Sequence, residues 1–427
     1  MSAAAIGPAV VPAVVPAVVH VSTSDSEGGS GRSARRIHQG LLRAGWCSRM
    51  LVGQRRTDDP EIDTVYRGGL GKLADRVTEA ATRRSGLQYL WYPSGKRVQD
   101  HPWVRQAGVI QLYNSHGGYF SHRLLPALAR RAPVVWRLSD MWPMTGHCAY
   151  AGACPRWQTG CGHCPDLGSY PALPVDTTAW LWRIKRGVCR SVRPVVVAPS
   201  RWIEAIARSS PIFESCAIHR IPNGLDLTVF RPIPKEAARA VLGLPDDKRL
   251  ILFSAHILDA NPRKGTADAI AALNRLGPRP DLAVVLAGIG GASWAGAVPQ
   301  PVIRLGYLQD DRLIAAANAA ADVMLAPSVV ENLPNTILEA MACATPVVAY
   351  GAGGIADAVR HRETGWLVPP GDVEGLARGL DQLLGDAEAR RRLGENGLAL
   401  IRTEFDAETE CGRFQELYRS LMKTAAP

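Results

Sequence analysis

Two glutamates eight residues apart frame the stretch most able to do chemistry. Glu331-Asn-Leu-Pro-Asn-Thr-Ile-Leu-Glu339 directly follows the apolar run Val323-Met-Leu-Ala-Pro-Ser328 and opens a helical pattern continuing through Ala340-Met-Ala-Cys343. Apolar run, loop and helix in that order is the layout in which open α/β sheets bind ligands, beyond the carboxyl ends of their strands. Loop amides and a helix N-terminus favour an anion such as a phosphate. A carboxylate ahead of the helix can reach a sugar hydroxyl, and one about a turn inside it can hold ribose hydroxyls. Taken alone, the same residues also describe an ordinary capped helix with Glu in its first turns.

Four further elements carry candidate chemistry. Asp25-Ser-Glu-Gly-Gly-Ser-Gly-Arg-Ser-Ala34 lies between a strand and a helix, and its Gly28-Gly29 pair lets the backbone approach a phosphate or a sugar. Arg32, Arg35 and Arg36 behind it either contact an acceptor or form a solvated helix face. His116 follows the run Val109-Asn114, at a carboxyl edge, where it either hydrogen-bonds a sugar hydroxyl or caps the loop. Cys148, Cys154, Cys161 and Cys164, with His147 beside the first, give four soft ligands within 17 residues. They fit a tetrahedral structural zinc, a set of reduced thiols or a disulfide pair. Trp180 to Arg193 mixes Trp with basic residues on a helical pattern, which suits either an anionic membrane surface or packing on its own domain.

The elements that must position these groups alternate along the chain. Val14-Thr23, Ser48-Val52, Val109-Asn114, Pro133-Leu138 and Val195-Ala198 are strand-like in the first half. Leu250-Ser254, Leu282-Ala287, Val302-Leu305, Val323-Ala326 and Pro346-Ala349 are strand-like in the second. Most are short and continuously apolar, as in strands buried on both faces of a parallel sheet. Helical stretches at Ala34-Ala44, Gly265-Arg275 and Thr336-Met341 lie between them. This alternation predicts doubly wound α/β domains. Ile221-Pro-Asn-Gly-Leu-Asp226, with its turn-forming Asn-Gly, marks a boundary near the middle. The expected division is a first Rossmann-like domain over 1–220, with 1–13 a disordered extension and 141–175 a Cys-containing insert. A second such domain spans 221–405, and an amphipathic helix over 406–427 crosses back to the first.

The 427 residues are 47% hydrophobic and 21% charged, values that allow a core in each half. No apolar run reaches the roughly 18 residues that span a bilayer. The net charge of +10 is uneven: 28 Lys/Arg against 14 Asp/Glu up to residue 220, and 21 against 25 after it. A basic first half suits an anionic acceptor, lipid or nucleic acid, or reflects arginine-rich drift. No nucleic-acid recognition motif accompanies it. With no basic n-region before Ala9–Val19, no signal peptide is read, and the expected location is cytoplasmic and reducing.

Set together, the motifs of the second half resemble those of the GT-B family 4 retaining glycosyltransferases. The resemblance rests on the spacing Glu331 to Glu339, on Ile221-Pro-Asn-Gly-Leu-Asp226, and on Asn261-Pro-Arg-Lys-Gly265. Leu286-Ala-Gly288, Leu305-Gly-Tyr307, Thr345-Pro-Val-Val348, Gly353-Gly-Ile355 and Thr364-Gly-Trp-Leu-Val368 add to it, so that it covers nearly all of 220–420. It implies a GT-B fold, two Rossmann-like domains facing a central cleft. The implied reaction is transfer of a sugar from a nucleotide-sugar donor to a glycan or lipid-linked acceptor hydroxyl, with retention. Lys264 and Arg263 would neutralise the donor diphosphate and Glu331 would face the transferred sugar. Asn332, Leu333, Pro334 and Asn335 with the loop amides would lie near the phosphates, Glu339 would bind the ribose, and Gly28 and Gly29 would approach the donor. No cofactor is then required for catalysis.

In the first half, Asp140-Met-Trp-Pro-Met-Thr-Gly146 and the cysteines after it resemble a cysteine-containing subgroup that assembles colanic acid and other exopolysaccharides. That points to polysaccharide assembly, with peripheral association at the inner face of the plasma membrane. Close relatives carry a His where this chain has Ser139, which leaves His116 as the candidate catalytic histidine. Asp357 stands where many relatives have Glu. The rival readings are a nucleotide-sugar epimerase or hydrolase on the same fold, and a non-catalytic basic binding protein.

Overall fold

The computed structural model describes residues 17–66, 68–259 and 262–424. The expected extension over 1–13, the first residues of the expected strand from Val14, and Asn261 lie outside the described residues. The remainder forms two parallel α/β sheets. In the first, β1 (Ala17–Ser24), β2 (Ser48–Gln54), β3 (Ile62–Thr64), β4 (Ala107–Leu112), β5 (Val134–Arg137), β6 (Val195–Ala198) and β7 (Ile218–Arg220) run in the order β3-β2-β1-β4-β5-β6-β7. In the second, β8 (Arg249–Ile257), β9 (Leu282–Ile289), β10 (Val302–Gly306), β11 (Val323–Ala326), β12 (Val347–Tyr350) and β13 (Trp366–Val368) run β10-β9-β8-β11-β12-β13. Every pairing is parallel, for example Val19 with Arg49 and Ile110, and Met324 with Leu252 and Val347.

The continuous apolar runs explain this. Val18, Val19 and Val21 of β1 and Val323, Met324 and Leu325 of β11 are buried, as strands covered on both faces must be. Each sheet reverses strand order once, between β1 and β4 in the first and between β8 and β11 in the second. Ligand crevices form at such reversals, outside the carboxyl ends of the strands. The loops concerned are those carrying Gly28, His116, Lys264 and Glu331.

The first helix begins at Gly28 rather than at Ala34. Its early turns are glycine-rich because the helix lies hard against β1. A Cβ on Gly31 would sit 2.8 Å from the Ser24 carbonyl oxygen. The Ser24 hydroxyl caps the preceding turn by accepting from the Ser26 and Glu27 amides.

The chain crosses between the domains twice, and the crossings touch: Leu225 and Asp406 form an isolated parallel bridge. Beyond it the helix Ala407–Thr424 packs on the first domain, where Phe414, Leu417 and Tyr418 share a core with Val18, Ile37 and Val109. A buried ion pair, Arg137 to Glu410 at 3.1 Å, fastens that helix beside β5. Burial raises the Glu410 carboxyl, the nearby Arg137 charge opposing it.

Candidate active site

Three glycines decide where Glu331 sits. Gly265 has φ +71°, and a Cβ on it would lie 1.9 Å from the Pro327 carbonyl oxygen. Only glycine lets the short turn Pro262–Lys264 lie against the loop after β11. There the Val329 amide donates to the Arg263 carbonyl at 2.9 Å. On the other side Gly353, at φ +61°, approaches the Glu331 backbone so closely that a Cβ would be 1.9 Å from its carbonyl oxygen. Gly354 donates its amide to that oxygen at 3.0 Å, and its own Cβ would fall 1.7 Å from the Asn332 carbonyl oxygen.

Held between these turns, the Glu331 carboxylate meets two cations. Lys264 Nζ lies 2.6 Å and Arg263 Nη1 2.7 Å from the same oxygen, Oε1. Burial alone would raise this carboxyl, but the Lys264 and Arg263 charges outweigh it and hold it below the usual glutamate range. Arg263 also lies 4.6 Å from the ring centroid of Tyr150, which arrives from the cysteine-bearing loop of the first domain. Burial, reinforced by Glu331, pushes the Tyr150 hydroxyl well up. This cluster offers two positive charges at the carboxyl end of β11 and beside the N-terminus of the helix Asn335–Ala342. That is a binding place for a diphosphate whose charge grows as a glycosyl bond breaks.

Glu339, inside that helix, is buried and faces the first domain. Arg36 Nη2 lies 3.2 Å and Arg32 Nη2 3.8 Å from its Oε1. Arg32 also pairs with Asp311. Arg32 and Arg36 of the first helix thus close onto the second domain, not onto solvent.

The middle of the motif is a bridge between domains. The side chain of Asn332, expected at the donor phosphates, accepts from the Ser200 hydroxyl at 2.7 Å and donates Nδ2 to the Leu138 and Ser139 carbonyls, 3.1 Å each. Its polar atoms are engaged with the first domain. Leu333 is buried and its carbonyl accepts from Asn223, while Pro334 starts the helix. Asn335 accepts from Asn223 at 3.1 Å and reaches the Gly29 carbonyl at 3.4 Å. A Cβ on Gly29 would have Asn335 Nδ2 as its nearest neighbour, at 3.8 Å, and Gly28, φ +68°, faces open space. The glycine pair and the donor loop are therefore brought together. Ser139, where relatives carry His, hydrogen-bonds Ser30 at 2.9 Å.

His116 is buried at the first domain's strand reversal and pairs through Nε2 with Asp140 Oδ2 at 2.9 Å. Trp142, Tyr170 and Tyr89 surround the ring, and Nδ1 has no hydrogen-bond partner. Asp140 also accepts from the Trp142 amide at 2.9 Å. Sequence reasoning missed Asp140, Tyr150, Asn223 and the arginine contacts to Glu339. For Asp140 a signal existed, since it stands next to Ser139 at the end of β5. The others come from pairings that no local pattern displays. Asp357 accepts from the Arg201 amide at 2.7 Å, at the start of a helix of the first domain.

Two further expectations concern the cysteine-bearing loop and the helix after it. The four clustered cysteines are free thiols. Among the described residues, no three His, Cys, Asp or Glu side chains are placed to hold a metal ion. Burial pushes the Cys148 thiol up to about 12 and raises Cys161 and Cys164. Cys161 accepts from the Gly146 amide, and His147 is engaged through Nδ1 with the Pro171 carbonyl. His147 Nε2 lies 3.4 Å from Cys164 Sγ, and in this arrangement the thiols are not drawn around a single point. The basic, Trp-rich stretch forms the helix Thr178–Val192 and turns Trp182 and Lys185 inward. Lys185 is buried 3.5 Å from the Trp142 ring centroid and donates to the Trp142 and Thr145 carbonyls, and Trp182 is buried. Trp180, Arg183 and Arg190 of the same helix stay exposed, so one face packs its own domain and the other meets solvent.

Comparison with known proteins agrees with this geometry. Residues 234–399 match the family described as glycosyl transferases group 1, a span within the second domain. A D-inositol 3-phosphate glycosyltransferase of Thermobispora bispora is 33% identical over 216 residues, 47% of this chain and 50% of that protein. The chain thus spans about half the length of that curated relative. A sucrose-phosphate synthase of Thermosynechococcus elongatus superposes with a TM-score of 0.66 at 21% identity, over 96% of this chain and 100% of that one. Anabaena HepE, solved in complex with UDP-glucose, gives 0.65 at 19% identity, over 95% of this chain and 100% of its own. The chain has the GT-B fold, two Rossmann-like domains facing a cleft.

Proposed function

We propose that this protein transfers a sugar from a nucleotide-sugar donor to an acceptor hydroxyl. The observation that carries the reading is the convergence of Lys264, Arg263 and Glu331 at the carboxyl end of β11, with Glu339 one helix turn further in. In this reading Lys264 and Arg263 take the donor diphosphate, together with the N-terminus of the helix Asn335–Ala342. Glu339 holds the ribose once Arg36 releases it. Binding the diphosphate draws the two cations from Glu331 and leaves that carboxylate facing the sugar. His116, held by Asp140, supplies the first domain's contact to the sugar. Retention and an acceptor from extracellular or lipopolysaccharide assembly are supported by the motif resemblance. HepE, solved with UDP-glucose, makes a UDP-sugar the first donor to try.

A thermal-shift series over UDP-, GDP-, ADP- and dTDP-sugars tests the reading. One nucleotide should raise the melting temperature, and Lys264→Ala should abolish the rise. With that donor and D-inositol 3-phosphate or a lipid-linked sugar as acceptor, Lys264→Ala should lower turnover about 100-fold. Donor incubated alone separates the alternatives. Rapid formation of free or epimerised sugar would indicate a hydrolase or epimerase, and no stabilisation by any nucleotide would sink the reading.

A further inference from the structure

A second cavity, of about 310 Å³, opens at the carboxyl ends of β2 and β3 and beside the first turn of the helix Gly68–Arg84. Arg55, Arg56, Tyr66 and Lys72 line it, with the backbone of Gly68 and Gly69. Its charges are poorly compensated. Arg56 pairs with Glu27 at 3.1 Å, but among the described residues Arg55 donates only to the Thr57 and Asp59 carbonyls. Lys72 lies 5.9 Å from the Tyr66 ring centroid and has no carboxylate partner among the described residues. Of the two acids on the same helix, Asp75 is taken up by Ser94, and Glu79 packs beneath Gly118. The cavity is tied to the active site, because the Tyr66 hydroxyl donates to the Gly118 carbonyl in the loop that carries His116.

The helix beside it has an uncovered apolar face. Leu70, Leu73 and Val77 are 83%, 56% and 61% exposed, and Asp75 is the helix's only buried residue. Their i, i+3, i+7 spacing puts them on one stripe, with Lys72, Arg76, Arg83 and Arg84 along the same helix. An apolar stripe flanked by cations is the pattern of a helix lying in the headgroup layer of an anionic bilayer.

We propose that this cavity holds the phosphoryl group of a lipid-linked acceptor while Leu70, Leu73 and Val77 rest the first domain on an anionic membrane. The inference builds on the transferase reading and assigns its acceptor side. Arg55 and Lys72, without a carboxylate partner among the described residues, match a phosphate or diphosphate, and the apolar stripe selects a bilayer over a dissolved phosphate as its source.

The test is co-sedimentation of the full chain with vesicles of phosphatidylglycerol and phosphatidylcholine, or of phosphatidylcholine alone, with UDP binding followed on the same samples. Binding should require phosphatidylglycerol. Leu70→Ser/Leu73→Ser should weaken it about tenfold, and Arg55→Gln/Lys72→Gln should weaken it about tenfold and remove competition by inorganic pyrophosphate. All four side chains can be changed without opening the core, so the melting temperature should hold. Absent or phosphatidylglycerol-independent vesicle binding, or variants that bind like the parent, would overturn the proposal. Pyrophosphate binding through Arg55 and Lys72 without vesicle binding would also overturn it, in favour of a soluble phosphorylated acceptor. Intact UDP binding in those cases leaves the transferase reading standing, whereas vesicle binding without nucleotide binding fails that reading alone.

Discussion

Arg36 of the first domain reaches Glu339 of the second across the cleft, Nη2 to Oε1 at 3.2 Å, with both side chains at least nine-tenths buried. A buried pair that loses one partner leaves the other charge without compensation, at a cost of about 3–5 kcal/mol. Arg36→Met should therefore lower the denaturant midpoint strongly, and Arg36→Met/Glu339→Gln should recover most of the loss. A double-mutant cycle by urea unfolding measures the coupling. Additive effects would mean the contact carries no energy.

The acid limb of stability should run through Glu331. Lys264 and Arg263 hold its carboxyl below the ordinary 4.5 against the opposing effect of burial. A carboxyl with a depressed folded value contributes stability fully above its unfolded value, and that contribution is lost as pH falls through the folded value. Relative to Glu331→Gln, the unaltered chain should thus lose melting temperature below about pH 4.5. Parallel curves between about pH 7 and pH 3 would assign the acid sensitivity elsewhere.

Gly265 and Gly243 share the left-handed conformation, φ +71° and +63°, but only Gly265 has a backbone oxygen where a Cβ would go. Gly243→Ala should cost about 1 kcal/mol for the conformation alone. Gly265→Ala should cost about 3 kcal/mol or more and weaken nucleotide binding, because the turn bearing Lys264 must shift. Equal costs in thermal unfolding would show that the Pro327 loop yields freely.

Asp140 is a positioning residue for His116. Asp140→Asn should keep the fold, lower kcat about tenfold or more, leave the donor KM nearly unchanged, and shift the pH–rate profile. An unchanged profile would reduce the pair to packing.

The sequence displayed what is local. β6 and β11 were legible to the residue because each is four consecutive apolar side chains, all but Val195 buried in the sheet. β3, β7 and β13 have three residues each, too few to show a period, and exist through their neighbours. Glu331 and Glu339 stood out because strand, loop and helix follow one another along the chain. Arg36 did not, because its partner is 303 residues away. The contacts of Asn332 were hidden for a related reason: its position in the loop was legible, but the Leu138 and Ser139 carbonyls that accept from its amide come from the other domain.

The packing of Phe414, Leu417 and Tyr418 onto Val18, Ile37 and Val109 sets an order of events during synthesis. When residue 220 leaves the ribosome, the part of the first sheet around Val109, beside the first helix, has no cover. It stays bare until the whole second domain has been translated and the helix Ala407–Thr424 emerges. A nascent chain of this kind exposes apolar surface for as long as its second half takes to make, which is the situation that recruits chaperones. The first domain, though first in sequence, is the last to be finished.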